Sequence, residues 1–231
     1  MARGEALFTQ HCAVCHGPDA AGGAVYAGSI QGRTGIYPIL HAGRGAMPPF
    51  PGLDEGDAAD IEAWLATFAE QPPETPAELF ALTCAGCHGA AGEGSDRGPT
   101  IQRPVVPFAT WVVRNGRQRP EYPDAMAAYS EDELTPDELT GLLGWLGEVP
   151  KPADGPGLYT MFCANCHGAD ARGGIVQVRL VGRPLGELME KVREGEGGTA
   201  YGARRQYMPR WTRAELTDAE VLLIGDAVSH L

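Results

Sequence analysis

The placement of six cysteines constrains this chain more than any other feature of its sequence. All six belong to Cys-x-x-Cys pairs, and a histidine follows each pair directly, in the segments Cys12-Ala-Val-Cys15-His16, Cys84-Ala-Gly-Cys87-His88 and Cys163-Ala-Asn-Cys166-His167. Cys-x-x-Cys-His is the attachment signature of c-type haem: two thiols add to the porphyrin vinyl groups, and the imidazole binds the iron. The sequence therefore predicts three covalently attached haem c groups, each with a histidine as its proximal iron ligand.

Other uses of paired cysteines explain the pattern less well. A single Cys-x-x-Cys is also typical of half a zinc site or of a redox dithiol, and three disulfides would suit an exported chain. None of these gives a reason for a histidine at the same offset in all three copies. Because haem is attached covalently outside the cytoplasm, we expect a periplasmic or extracellular protein, with any export signal already removed from this sequence.

The cysteine motifs belong to a larger internal repeat. They recur at intervals of 72 and 79 residues, and an aromatic residue precedes each first cysteine by four positions. Each copy also contains an apolar segment that ends in glycine, then a methionine with an aromatic three positions later, and finally a capped helix. Proline-rich linkers separate the copies. The predicted modules are residues 1–72, 73–150 and 151–231.

These features resemble class I cytochrome c, and the resemblance covers the whole chain as a triheme protein of three tandem domains. It implies an all-α fold, in which each small domain wraps around one haem and its C-terminal helix crosses its N-terminal helix. It also implies a distal methionine ligand from the loop between them, which would be Met47, Met126 and Met208. The match is weaker at Met126, which lacks the proline that follows the other two. His41 lies near Met47 and is an alternative ligand for the first haem.

The resemblance extends to the surroundings of the haem. Pro99, eleven residues after His88, matches the family proline whose carbonyl supports the proximal imidazole, whereas Ala27 and Val178 hold that offset in the other modules. An arginine also follows each proximal histidine by 15 to 17 residues, and a guanidinium suits a haem propionate. These arginines are Arg33, Arg103 and Arg183. Ordinary surface charge explains them equally well.

Methionine/histidine ligation raises the potential of a haem and fills its sixth coordination position. No conventional set of catalytic residues is evident, so we predict an electron-transfer protein, a wire of three haems between periplasmic redox partners, rather than an enzyme. Two alternatives stay open. One is a multihaem peroxidase or sulfur-compound oxidase with an open haem, for which the second haem is the candidate. The other is an electron-transfer subunit of a larger dehydrogenase, respiratory or photosynthetic complex.

Charge limits the choice of partners. The formal net charge of −12 argues against nucleic acid, and no apolar run is long enough to predict a transmembrane segment. Residues 1–75 and 76–150 each carry a net charge of −6, whereas residues 151–231 are neutral. Four arginines surround Met208 in the sequence, at positions 204, 205, 210 and 213. We therefore expect an acidic partner at the third domain and a basic one at the first two, either as separate redox proteins or within a membrane-bound redox complex.

Overall fold

Each third of the chain repeats one order of four short helices. The computed structural model describes residues 2–26, 28–68, 73–118, 122 and 124–231. The helices are α1 (Ala2–His11), α2 (Ala13–His16), α3 (Tyr37–Ala42), α4 (Glu55–Leu65), α5 (Pro76–Thr83), α6 (Ala85–His88), α7 (Val106–Asn115), α8 (Pro136–Gly147), α9 (Gly155–Phe162), α10 (Ala164–His167), α11 (Leu185–Glu194) and α12 (Asp218–Ser229). Short 3₁₀ turns lie at Ala66–Phe68 and Gly174–Val176. The described residues contain no β-strand, so the predicted all-α fold is confirmed.

The chain divides into two compact units. The first consists of Met1–Pro99 with Val113–Trp145, and the second of Thr100–Val112 with Leu146–Leu231. Residues 100–112 belong to the second module by sequence but pack with the third, where Val105 contacts the buried core of the second unit. The module limits at 72 and 150 stay predictions.

Close crossings of the first and last helix organise the first and third modules. In the first unit α1 packs on α4, and a Cβ atom at Gly4 would overlap the carbonyl oxygen of Asp60. In the second unit α9 packs on α12, and a Cβ atom at Gly155 would overlap the carbonyl oxygen of Leu223. Each glycine lies eight residues before the first cysteine of its module. Glycine is needed there because backbone approaches backbone.

Aromatic side chains fill the crossings of the first unit. Phe8 is fully buried with its ring centre 4.5 Å from that of Trp64, and Phe80 is fully buried 5.0 Å from Trp145. Each pair adds about 0.5–1.5 kcal/mol beyond its buried area.

The third module lacks the tryptophan because Ala227 stands at its position. A Cβ atom at Gly155 would lie only 3.0 Å from the Cβ of Ala227. Tyr159 takes the place of the phenylalanine, is 3% exposed, and donates a hydrogen bond of 2.5 Å from its hydroxyl to the carbonyl oxygen of Gly168. The Tyr159 hydroxyl therefore has a hydrogen-bond partner within the core, at a crossing where the other two modules have a tryptophan ring.

Capping boxes begin the last helix of every module, as the sequence predicted. The side chain at the cap accepts from the backbone N–H three residues on, and the side chain there accepts in return from the cap N–H. These pairs are Asp54 with Asp57, Thr135 with Glu138 and Thr217 with Glu220. A further box, Thr75 with Glu78, begins α5. The caps fix where the helices start and so place the loops that precede them.

Candidate haem sites

All three Cys-x-x-Cys-His segments form the same one-turn helix. The first cysteine stands at the junction of a longer helix with α2, α6 or α10, and the histidine is the last helical residue. Residues three apart on a helix lie on one side, so the two thiols of each pair face in the same direction. No two of the six cysteines form a disulfide, which leaves the disulfide alternative without support.

The acidity of the thiols argues against a redox dithiol. Burial and the second cysteine of each pair raise the pKa of Cys12 to about 11 and that of Cys163 to about 12. Burial also raises the pKa of Cys84. A redox dithiol needs the opposite, a nucleophile with a lowered pKa.

Backbone carbonyls orient two of the proximal histidines. His88 donates from Nδ1 to the carbonyl oxygen of Pro99 at 2.9 Å, and His167 donates from Nδ1 to that of Val178 at 2.8 Å. These bonds place the proton on Nδ1 and make Nε2 the atom that binds a metal. Val178 therefore supports its imidazole as Pro99 does, although the sequence left this open.

The first proximal histidine differs in its surroundings. His16 Nδ1 is buried and has no hydrogen-bond partner among the described residues, and Ala27, at the corresponding offset, lies outside them. Burial lowers the pKa of both His16 and His167, which keeps these imidazoles neutral, as iron ligation requires.

Each predicted distal methionine is held by the same backbone pairing. Met47 pairs with Arg44, Met126 with Arg117 and Met208 with Glu196 in isolated antiparallel bridges, with N···O distances of 2.7 to 3.0 Å. The aromatic residue three positions later then donates its backbone N–H to a carbonyl of the middle helix, in the pairs Phe50 to Leu40, Tyr129 to Val113 and Trp211 to Val192. Met126 and Tyr129 therefore make the same backbone contacts as their counterparts in the other two modules, despite the missing proline.

The glycine before each methionine makes this pairing possible. Gly43, Gly116 and Gly195 have φ values of 74°, 69° and 67°, a region that favours glycine. A Cβ atom at any of them would lie 2.7–2.8 Å from the carbonyl oxygen of the distal methionine. The repeated glycine in the sequence thus marks the point where the middle helix ends and the methionine loop packs against it.

The alternative ligand and the three repeated arginines lie in varied surroundings. His41 is exposed near the end of α3. Arg103 donates to the carbonyl oxygen of Val149 at 2.5 Å, and Arg183 is exposed and forms an ion pair of 2.6 Å with Glu187. Arg33 lines a cavity of about 1380 Å³ in the first unit, formed by residues of the first and second modules. Propionate binding by these arginines stays a prediction.

The sequence did not predict the contacts between neighbouring modules. In the first unit the ring of Tyr26 lies 5.1 Å from that of His16, and burial, together with Cys87 and Cys84 of the next module, raises the pKa of Tyr26. In the second unit Phe108 stacks on Tyr207 at 4.9 Å, and Tyr201 packs edge-on against Tyr207 at 5.1 Å. In the sequence, only the two tyrosines of loop 200–210 hint at these contacts.

The donor set of each module fits a covalently bound haem. Two thiols face one way on a helical turn, an imidazole follows them, and a methionine lies in the loop after the middle helix. A helical module with this arrangement defines a c-type cytochrome domain, and the chain contains three.

Comparison with known proteins identifies the family. The family model described as cytochrome c oxidase, cbb3-type, subunit III matches residues 1–65, 71–146 and 150–225, and the chain belongs to this family. The three matched domains each carry one covalently bound haem c, so the cofactor prediction is confirmed.

Individual relatives are more distant. The chain is 25% identical over 188 residues to the cbb3-type cytochrome c oxidase subunit CcoP of Rhodobacter capsulatus, covering 67% of this chain and 61% of the relative. It is 28% identical over 141 residues to subunit FixP of Sinorhizobium medicae, covering 51% and 48%. It is also 28% identical over 182 residues to subunit CcoP of an Azospirillum strain, covering 66% and 60%. The chain thus spans about half to three fifths of the length of these relatives.

Proposed function

We propose that this protein carries single electrons through three haems with histidine and methionine ligands, as a subunit or partner of a membrane-bound respiratory oxidase complex. The observation that carries the proposal is that Met47, Met126 and Met208 each pair, backbone to backbone, with the residue after the glycine that ends the middle helix. A methionine in the sixth position leaves no site for oxygen or peroxide and raises the potential of the haem. When bound, haem supplies reversible one-electron chemistry, and the chain supplies its ligands and its surroundings.

The family supports this choice of partner. The relatives are named as subunits of cbb3-type cytochrome c oxidase, so a respiratory complex is a closer parallel than a dehydrogenase or a photosynthetic complex. We place the three domains on the periplasmic side, where haem is attached. Among the described residues no helix has the length and apolar character that a bilayer crossing needs.

Whether Met126 binds the second haem distinguishes the electron-transfer function from the enzyme alternative. A peroxidase or sulfur-compound oxidase needs an open haem, and the second haem was the candidate because the proline is missing after Met126. The bridge from Arg117 to Met126, with N···O distances of 2.7 and 2.9 Å, favours a saturated second haem. We propose Met126 as its distal ligand, with Met47 and Met208 for the first and third.

Carbon monoxide tests the proposal. The reduced protein is titrated with carbon monoxide, and binding is followed in the haem absorption spectrum. We expect the wild type to bind almost none, and Met126→Ala to bind about one equivalent per chain, because that variant opens one coordination position. Binding of a full equivalent by the wild type would instead favour the enzyme alternative. Met161→Leu serves as the control because Met161 lies within α9, outside the methionine loops.

The third domain offers a surface for an acidic partner. Arg205 and Arg210, on either side of Met208, are exposed and form no ion pair among the described residues. Arg213 is paired with Asp218 at 2.9 Å. We propose that Arg205 and Arg210 attract the acidic partner, while the acidic first two domains attract a basic one.

A further inference from the structure

Arg44 extends from the methionine loop of the first module to that of the second. It lies between Gly43 and Gly45, and its backbone pairs with Met47 in both directions at 2.9 Å. Its side chain is only 15% exposed. Both loops belong to the first compact unit. Arg44 is therefore attached to the Met47 loop by its backbone and reaches the Met126 loop with its side chain.

The guanidinium makes three kinds of contact with the segment that follows Met126. Nη2 donates to the carbonyl oxygen of Ala128 at 2.7 Å, and Nη1 forms an ion pair of 2.7 Å with Glu133. The central carbon of the guanidinium lies 4.0 Å from the ring centre of Tyr129. A planar guanidinium satisfies all three contacts in one rigid orientation, which the flexible ammonium of lysine cannot reproduce.

The segment held by Arg44 is connected to the rest of the second haem site. Tyr129 donates its backbone N–H to the carbonyl oxygen of Val113 at 2.9 Å, and its hydroxyl donates to that of Thr83, the residue before Cys84, at 3.2 Å. Glu133 accepts from the N–H and hydroxyl of Ser130, both at 2.9 Å. The contacts of Arg44 thus act on a short stretch that begins two residues after Met126.

The three methionine loops differ where Arg44 acts. Met47 and Met208 are followed by Pro48 and Pro209, whose rings fix the backbone φ. Met126 is followed by two alanines, which leave the backbone more freedom in the absence of contacts. The Arg44 contact with Ala128 is a restraint on this loop that comes from another module.

We propose that Arg44 is a positioning residue for the second haem, holding the Met126 loop so that its sulfur could bind the iron. The inference rests on the proposed role of Met126 as a ligand. The first module thereby controls the ligation of the second haem. Because Glu133 neutralises the guanidinium, the effect comes from the position of the loop and not from added charge.

The test measures ligation in the purified triheme protein. The variants are Arg44→Ala, Arg44→Lys, Met126→Ala and the double variant Arg44→Ala/Met126→Ala. Arg3→Ala is the matched control, because Arg3 pairs with Asp57 and Asp60 in the same unit, away from the Met126 loop. Two readouts count methionine-ligated haems: the iron–sulfur absorption band of the oxidised protein and carbon monoxide binding by the reduced protein.

We expect Arg44→Ala to lose up to about one third of the iron–sulfur band, to bind carbon monoxide at one haem, and to lower the potential of that haem in a redox titration. Arg44→Lys should restore part of the band. The double variant should match Met126→Ala alone, because Arg44 acts through the same ligand. Arg3→Ala should keep the wild-type band. If Arg44→Ala fails to retain haem, Arg44→Gln replaces it, with the same expectation.

The outcomes separate the two proposals. If Met126→Ala has the spectrum and the carbon monoxide binding of the wild type, Met126 is not the ligand and the proposed ligation of the second haem fails. If Met126→Ala loses its share of the band but Arg44→Ala and Arg44→Gln keep theirs, only the role of Arg44 is overturned. Equal losses in Arg44→Ala and Arg3→Ala would also overturn it, since a general loss of ion pairing would then explain the effect.

Discussion

At the scale of residues, backbone groups hold the predicted haem ligands in place. Carbonyl oxygens of Pro99 and Val178 orient two histidines, and backbone bridges hold the three methionines. A main-chain acceptor is present at every position, so side chains at the supporting positions are free to differ. This explains how Val178 replaces the family proline without loss of the hydrogen bond.

Asp218 provides a pH-dependent contact at the start of α12. Hydrogen bonds from Arg193 and then from Arg213 hold the pKa of Asp218 below its ordinary value. A lowered carboxyl pKa stabilises the fold above the pKa of the unfolded chain, and this stabilisation is lost as the pH falls through the folded pKa. We expect Asp218→Asn to lower the midpoint of urea unfolding at pH 7 slightly, and the difference from the wild type to vanish in acid.

The control for this prediction is Asp226→Asn on the same helix. Asp226 has no ion pair among the described residues, so its replacement should leave the midpoint nearly unchanged at both pH values. A loss at pH 7 that persisted undiminished in acid would show that Asp218 acts through shape and not through its charge.

At the scale of elements, the glycine at the crossing of α9 and α12 fixes how closely the helices approach. A side chain at Gly155 would overlap the carbonyl oxygen of Leu223. We expect Gly155→Ala to lower the stability of the second unit by about 1–3 kcal/mol, the usual cost of forcing atoms into a packed interior. Thermal unfolding followed by helical circular dichroism measures the loss.

Gly186→Ala in α11 is the matched substitution. Nothing lies within 4 Å of a Cβ atom at Gly186, so adding a methyl group should stabilise this helix by about 0.5–1 kcal/mol. If both variants lose the same stability, the close approach of α9 to α12 is not what requires glycine at position 155.

Most of the repeated elements could be predicted from the sequence, because they depend on local spacing and local geometry. The haem signature requires residues at fixed spacing, and capping boxes such as Thr217 with Glu220 require only local geometry. The contacts of Arg44 with Glu133 and of Phe108 with Tyr207 depend on how modules pack, and no short-range pattern encodes them. Arg103 shows the same limit, because its offset from His88 did not indicate that its side chain bonds to Val149.

At the scale of the whole molecule, the charge asymmetry leads to a kinetic prediction. Arg205 and Arg210 lie beside the third methionine loop, in a neutral domain that follows two acidic ones. We expect Arg205→Glu/Arg210→Glu to slow electron transfer with an acidic redox partner at low salt and to flatten its dependence on ionic strength, because complementary charge mainly accelerates encounter. Stopped-flow mixing over a range of salt concentrations measures both effects.

The control is Arg172→Glu, an exposed arginine of the same domain whose side chain donates to the carbonyl oxygen of Leu231. It changes the net charge of the domain but lies away from the Met208 loop in sequence. Equal salt dependence in the wild type and in the double variant would leave Arg205 and Arg210 without a docking role.

Packing of residues 100–112 with the third module has a consequence for dissecting the chain. The three domains follow one another along the chain, yet Phe108 and Trp111 of the second domain pack against Tyr201 of the third. A fragment cut at residue 150 would therefore uncover two large rings, and one starting at residue 151 would lose their cover. Exchange of the third domain between such proteins would therefore succeed only if residues 100–112 moved with it.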